Sequence, residues 1–143
     1  MSYADWLTWA ASYEATAFTG FTGNQISLDA YNKAVEAFYN LNNLLGTTTY
    51  ETGVYSLAMH NFILKANLCA SPLSSLYTKY DVEAARSQGV LQTASNDRTS
   101  STRVIPNAMQ DGDAAMLLLW ATPYGQEVEA LFEQIRPFAV VIG

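Results

Sequence analysis

"GVYSLAMHNFILKANL", residues 53–68, is the stretch on which the fold turns. Val54, Leu57, Leu64 and Leu68 share one helical face, Ala58 and Phe62 widen it, and Met59 and Ile63 carry apolar character round the cylinder. A helix that is apolar on most sides has to be surrounded, so this one is central. Thr48 and Glu51 have capping-box spacing, which predicts a helix over 48–68.

Its neighbours follow on either side. Tyr3, Trp6, Ala10, Tyr13 and Ala17 recur at helical spacing over residues 2–17, with Leu7 and Ala11 widening the stripe. "FTGFTGNQ", residues 18–25, has no period and reads as a loop. Ser27 is placed to cap a helix over 27–45, with Asp29 in its first turn and Gly46 as its stop. Downstream, "ASPLSSLYTKYD" is turn-rich, and "VEAARSQ" predicts a short helical piece before Gly89.

Residues 90–105 have apolar ends and a polar middle, six of residues 93–102 being Ser or Thr. This reads as a hairpin or extended arm, a length of loop that usually carries function. Asp111 or Asp113 is placed to cap "AAMLLLWA". In "TPYGQEVEALFEQI", residues 122–135, Thr122 caps a last helix and Pro123 fits its first turn. Gly125 is the odd residue, because glycine inside a helix costs roughly 1 kcal/mol relative to Ala. Something must come close to the backbone there, either the preceding "AAMLLLWA" segment or the 48–68 helix. Pro137 reads as the stop, leaving Phe138, Val140, Val141 and Ile142 as an extended apolar tail.

The expectation is one all-α domain spanning residues 1–143, a small helical bundle. Its helical core lies at about 27–68 and 111–136, with a projecting Ser/Thr-rich loop or hairpin at about 88–106 and an extended C-terminal tail at 137–143.

Charged residues are 14% of the chain, against roughly 25% in an ordinary soluble domain. Such a surface suits a tightly packed monomer or, as the sharper reading, an obligate oligomer whose interfaces cover it. The net charge of −6 opposes nonspecific grip on nucleic acid, which needs Lys and Arg against phosphates. Residues 60–110 carry +2 and the remainder −8, a polarity able to orient one subunit against another. The longest apolar run, Ala114 to Ala121, is too short to span a membrane, and no secretory signal is visible, which predicts a cytoplasm-like compartment.

No catalytic, cofactor-binding or metal-ligating constellation emerges. Cys69 is alone, which removes disulfides and cysteine-type metal sites. His60, the only histidine, reads as a core residue. Asp111-Gly-Asp113 lacks the Glu a calcium loop needs eleven residues on, Thr122 standing there instead. Glu127, Glu129 and Glu133 read as a solvated helix face, and "FTGFTGNQ" lacks the lysine and spacing of a phosphate loop.

Three stretches together resemble the head–tail adaptor (connector) family of tailed bacteriophages. They are "GVYSLAMHNFILKANL", "GVLQTASNDRTSSTRV" and above all "WATPYGQEVEALF". The matching features are an apolar helix with Ala58 to His60, the polar segment from Thr93 to Thr102, and a Thr-x-Tyr-Gly motif at Thr122, Tyr124 and Gly125. In order, they cover roughly residues 25–135.

The resemblance implies a structural virion protein without enzymatic activity, made in the host cytoplasm and placed in the neck. It implies a homo-oligomeric ring, a dodecamer, beneath the portal protein. That ring extends the DNA channel and joins the head to a downstream neck or tail protein. Arg98 and Arg103 in the arm, and Phe138, Val140, Val141 and Ile142 in the tail, are the expected partner contacts. The alternatives are another neck or tail component, such as a stopper or tail terminator, or a small helical ligand-binding domain or enzyme.

Overall fold

The computed structural model describes residues 1–87 and 118–142, with side chains as far as residue 135. The described residues are helical with no strand among them, as the periodicities predict. The arm at 88–106, with Arg98 and Arg103, lies outside the described residues, as does the capping position at Asp111 or Asp113.

The chain opens with α1 (Tyr3–Tyr13), whose first turn is capped by the Ser2 hydroxyl accepting from the Asp5 N–H at 3.1 Å. Trp6 and Ala10, four residues apart, form its buried face. The predicted helix over 2–17 is interrupted. Glu14 leaves helical geometry at φ −125° and ψ 60°, and α2 (Ala15–Phe18) follows as a separate turn. Tyr13 is 61% exposed and does not join the stripe.

The next helix, α3 (Gln25–Ala37), starts two residues before Ser27. The cap is Asn24, whose side-chain oxygen accepts from the Ser27 N–H at 2.8 Å. Ser27 Oγ accepts in return from the Asn24 N–H at 2.9 Å. Ser27 is therefore the third helical residue of a capping box, and the upstream Asn24 sets the start. The expected continuation to Leu45 fails at Asn40, which has a left-handed φ of 63° that asparagine tolerates better than most residues. A short α4 (Asn42–Leu45) then leads to Gly46 at φ 78°.

Gly46 launches α5 (Thr47–Leu64), the central helix. No side chain caps it, so Thr48 and Glu51 do not form the expected box. Every residue from Gly53 to Leu64 is buried, as apolar character on all sides requires. Asn61 Nδ2 donates to the Ala30 carbonyl, while Gly53 lies against Phe38, so α3 and α5 run antiparallel. The helix ends at Leu64 rather than 68, and a 3-10 turn, Ala66–Leu68, follows. Arg86, in a helical piece at 82–87, donates to the terminal Leu64 carbonyl at 2.8 Å. That contact satisfies an orphan acceptor and places positive charge at a helix C-terminus.

The core joins Trp6, Phe18, Phe62, Leu57, Met59 and Val128, so α1 and α2 belong to it as well as the predicted 27–68 region. Trp6 stands edge-on to Phe62 and donates from Nε1 to the Tyr55 carbonyl at 3.1 Å, anchoring α1 on α5. A short α6 (Ser75–Lys79) packs near the C-terminal end of α5.

After a 3-10 turn at Leu119–Ala121, α7 (Pro123–Ile142) closes the bundle. It runs through Pro137, so the extended tail expected from 137 is replaced by helix as far as Ile142. A proline in a helix removes one N–H, here the donor to the Glu133 carbonyl, and helices can absorb that loss by bending. Phe138, Val140, Val141 and Ile142 thus stand on helical backbone, and their side chains lie outside the described residues.

Gly53 marks how tightly α5 is held. A methyl group there would approach Phe38 Cε2 to 2.6 Å and Leu131 Cδ1 to 2.9 Å. Phe38 is fully buried and has little room to yield. The gain in helix propensity, about 1 kcal/mol, opposes an overpacking cost of about 1–3 kcal/mol. Gly53→Ala is expected to lose about 1 kcal/mol in urea unfolding, and a gain would show that this contact relaxes freely.

Candidate functional site

The three motif residues of the last helix meet at one junction. Thr122, fully buried and extended at φ −128° and ψ 154°, ends the 3-10 turn. Its Oγ1 accepts from the Gly125 N–H at 2.9 Å, which makes Thr122 the predicted N-cap. The same oxygen lies 2.8 Å from Nδ1 of His60, which rises from the middle of α5 with no exposed surface. A buried histidine and a helix start are thus joined through one hydroxyl.

Gly125 has its reason here. A Cβ at this position would overlap the Leu119 carbonyl oxygen and sit 2.9 Å from His60 Nδ1. Both expected visitors are present, the preceding segment through Leu119 and the central helix through His60. One obstacle is backbone carbonyl, which no rotamer change can move aside.

Tyr124 points into a second cluster that the sequence did not reveal. Its hydroxyl donates to Glu14 Oε1 at 3.1 Å. The same carboxylate accepts from Lys79 Nζ at 2.8 Å and from the Tyr80 hydroxyl. Glu14 is only 6% exposed, so the helix break between α1 and α2 carries a buried carboxylate held by three donors.

Burial works against the charge on Glu14, yet the bonds from Lys79, Tyr80 and Tyr124 outweigh it and hold the carboxyl below its ordinary value. Bonding to Glu14 raises the Lys79 ammonium. Burial, with Glu14 close by, pushes up the Tyr80 phenol. Burial and the neighbouring Tyr80 do the same to Tyr124. Trp9 and Tyr80 flank the Tyr124 ring, both with centroids at 6.1 Å. The signal in the sequence was Glu14 itself, the only charged residue between Asp5 and Asp29. Its partners lie 65 or more residues away, and no local pattern points to them.

Of the predicted helix-face acids, Glu127 accepts from the buried Ser56 hydroxyl at 3.2 Å and so braces α7 on α5. Cys69 is half-buried and 3.7 Å from Asn24 Nδ2. Among the described residues no group of three His, Cys, Asp or Glu is arranged to hold a metal ion, and no helix is long and apolar enough to cross a membrane. The junction and the Glu14 cluster can fix the positions of α1, α5, α6 and α7.

Comparison of the chain with protein-family models, curated proteins and solved structures found no match.

Gly125→Ala is expected to destabilise the chain by about 2–3 kcal/mol, because the clash with a backbone carbonyl exceeds the helix-propensity gain of about 1 kcal/mol. A melting temperature equal to the parent's would remove the crossing as the reason for glycine. For Glu14, a depressed folded-state pKa contributes stability above its unfolded value of 4.5, and that stability is lost as pH falls through the folded value. Glu14→Gln should therefore be less stable than the parent near neutral pH, with the difference shrinking toward about pH 3. Urea unfolding at both pH values measures this, and a pH-independent difference would contradict it.

Proposed function

We propose that the chain is a structural head–tail adaptor of a tailed bacteriophage, assembling as a ring beneath the portal and extending the DNA channel toward the next neck or tail protein. The observation that carries this reading is the junction itself. Two of the three stretches that carry the resemblance, with Ala58 to His60 and Thr122 to Gly125, lie about 60 residues apart in sequence, and His60 and Thr122 touch at 2.8 Å. This contact supports reading the two motifs as one structural unit.

Charge supports the same reading. A chain of net −6 repels phosphate, so a channel it lines lets DNA slide without sticking. In this reading Arg98 and Arg103 pair with acids of a neighbouring copy or the portal, and Phe138, Val140, Val141 and Ile142 are further partner contacts on helical backbone. No catalytic role is part of it.

Particles of a phage encoding this chain provide the test. Cryo-electron microscopy of the neck should place the chain as a closed ring between portal and tail, and mass spectrometry should recover it from purified tailed virions. Its absence from tailed virions would overturn the assignment.

A further inference from the structure

His60 has no exposed surface, and its Nδ1 lies 2.8 Å from the Thr122 hydroxyl. The hydrogen count at Thr122 decides which atom donates. A hydroxyl has one hydrogen to give and two lone pairs to fill. The Gly125 N–H, which can only donate, fills one lone pair at 2.9 Å. Among the described residues, Nδ1 is the acceptor placed to take the hydroxyl hydrogen. Thr122 therefore donates to His60, whose ring is neutral with its hydrogen on Nε2. A proton added at Nδ1 turns that acceptor into a donor. Two donors then face the Thr122 oxygen, and the hydroxyl hydrogen has no acceptor. The Nε2–H donates before and after, so the change falls on Thr122.

The surroundings set the cost of that proton. From α7 come Glu127, which accepts from Ser56 one turn of α5 before His60, and Glu129, one turn beyond Gly125. Glu127 is exposed and Glu129 half-buried, so solvent weakens their pull on an imidazolium, whereas the buried ring pays for its charge in full. The Tyr124 phenol is turned to Glu14, which also holds the Lys79 ammonium. Residues 118–122 bring no ionisable group. Arg86 sits on the Leu64 carbonyl one turn past His60, where it opposes a second cation. Glu51 and Tyr55 are the other ionisable groups of α5 itself. Asp29, Lys33 and Glu36 are exposed on α3, which meets α5 through Asn61.

We propose that the junction is a proton-operated latch: neutral His60 holds Thr122 and the first turn of α7, and a proton on Nδ1 lets that turn go. The closed state resists a proton that the open state takes at about pH 6.5, the ordinary value of an exposed imidazole. Closure is then fully favoured above about pH 6.5, and its equilibrium constant falls about 10-fold for each pH unit below. Glu14 ties the same turn through Tyr124. It is held below its ordinary 4.5, so it stays ionised while His60 responds. Glu127 on Ser56, with buried Val128 and Phe132, keeps the rest of α7 in place and confines the opening to its start. The latch stands on the junction alone and does not depend on the virion reading.

His60 is the only histidine, so ring-nitrogen NMR of the labelled full chain reports it directly. At about pH 7.5 Nδ1 should be bare and Nε2 protonated. The folded chain should stay so at about pH 5.5, where an exposed imidazole is about 90% charged. Between the same two pH values, hydrogen-exchange protection of the Gly125 N–H should fall about 10-fold. Core amides of α5, such as that of Leu57, should stay more protected than Gly125 at both. In His60→Asn, an amide oxygen stands in for Nδ1 and does not titrate, so Gly125 protection should not change with pH. The latch is overturned by a hydrogen on Nδ1 at about pH 7.5, by a folded imidazolium at about pH 5.5, or by Gly125 protection that is unchanged in the parent. Equal protection of Gly125 and Leu57, or the same fall in His60→Asn, overturns it as well. The measurements on the parent decide the matter if His60→Asn does not fold.

Discussion

The structure depends on how closely the first turn of α7 approaches the Leu119 carbonyl and His60. Interaxial distance between packed helices is set by the side chains at the crossing, and glycine permits the shortest one. With no side chain at Gly125, the chain can turn out of the Leu119–Ala121 segment and enter α7 directly against the middle of α5. Thr122 completes the arrangement by accepting from the Gly125 N–H and meeting His60, so buried polar groups are satisfied at this close crossing. At the other end of α5 the logic is reversed. There the central helix supplies the glycine, Gly53, and Phe38 of the α3 C-cap and Leu131 of α7 close over it.

A second constraint is electrostatic. A carboxylate as buried as Glu14 is costly unless its lone pairs are filled, and three donors from distant segments fill them. Lys79 and Tyr80 bring the α6 region to the break after α1, and Tyr124 brings the start of α7 to the same point. Hydrogen bonds of fixed direction select one placement of these segments in a way that apolar contact does not. The short helices around α5 are too brief to be stable alone, and several are held by such specific ties. Trp6 bonds Tyr55, Lys79 bonds Glu14 and Arg86 bonds the end of α5.

What was legible in the sequence divides along physical lines. The central position of α5 was readable because apolar residues on every side leave a helix no solvent face. Thr122 and Gly125 were readable because a cap and a helical glycine are local anomalies with few explanations. The start of α3 was misplaced because Asn24 and Ser27 both suit a cap, and sequence does not say which end of the box each occupies. The break at Asn40 was missed because helical spacing continues across it, Leu45 still matching the face. Pro137 was given too much weight, for one missing donor does not end α7. The Glu14 cluster was beyond reach, since its members share no local period.

The low charge of the chain takes on a sharper meaning in the fold. Several of its few ionisable groups face inward or act on the backbone. Glu14 and Lys79 hold each other, Arg86 serves a helix end, and Glu127 answers a buried serine. Fewer charges are then left to cover the surface, and α5 carries only Glu51. The 37–50 and 66–78 segments are left to residues such as Asn, Thr, Gly and Ser, which hydrate well but give no long-range repulsion. A monomer built for solubility would place Lys and Glu at such turns, around side chains as apolar as Tyr39, Leu44 and Leu68.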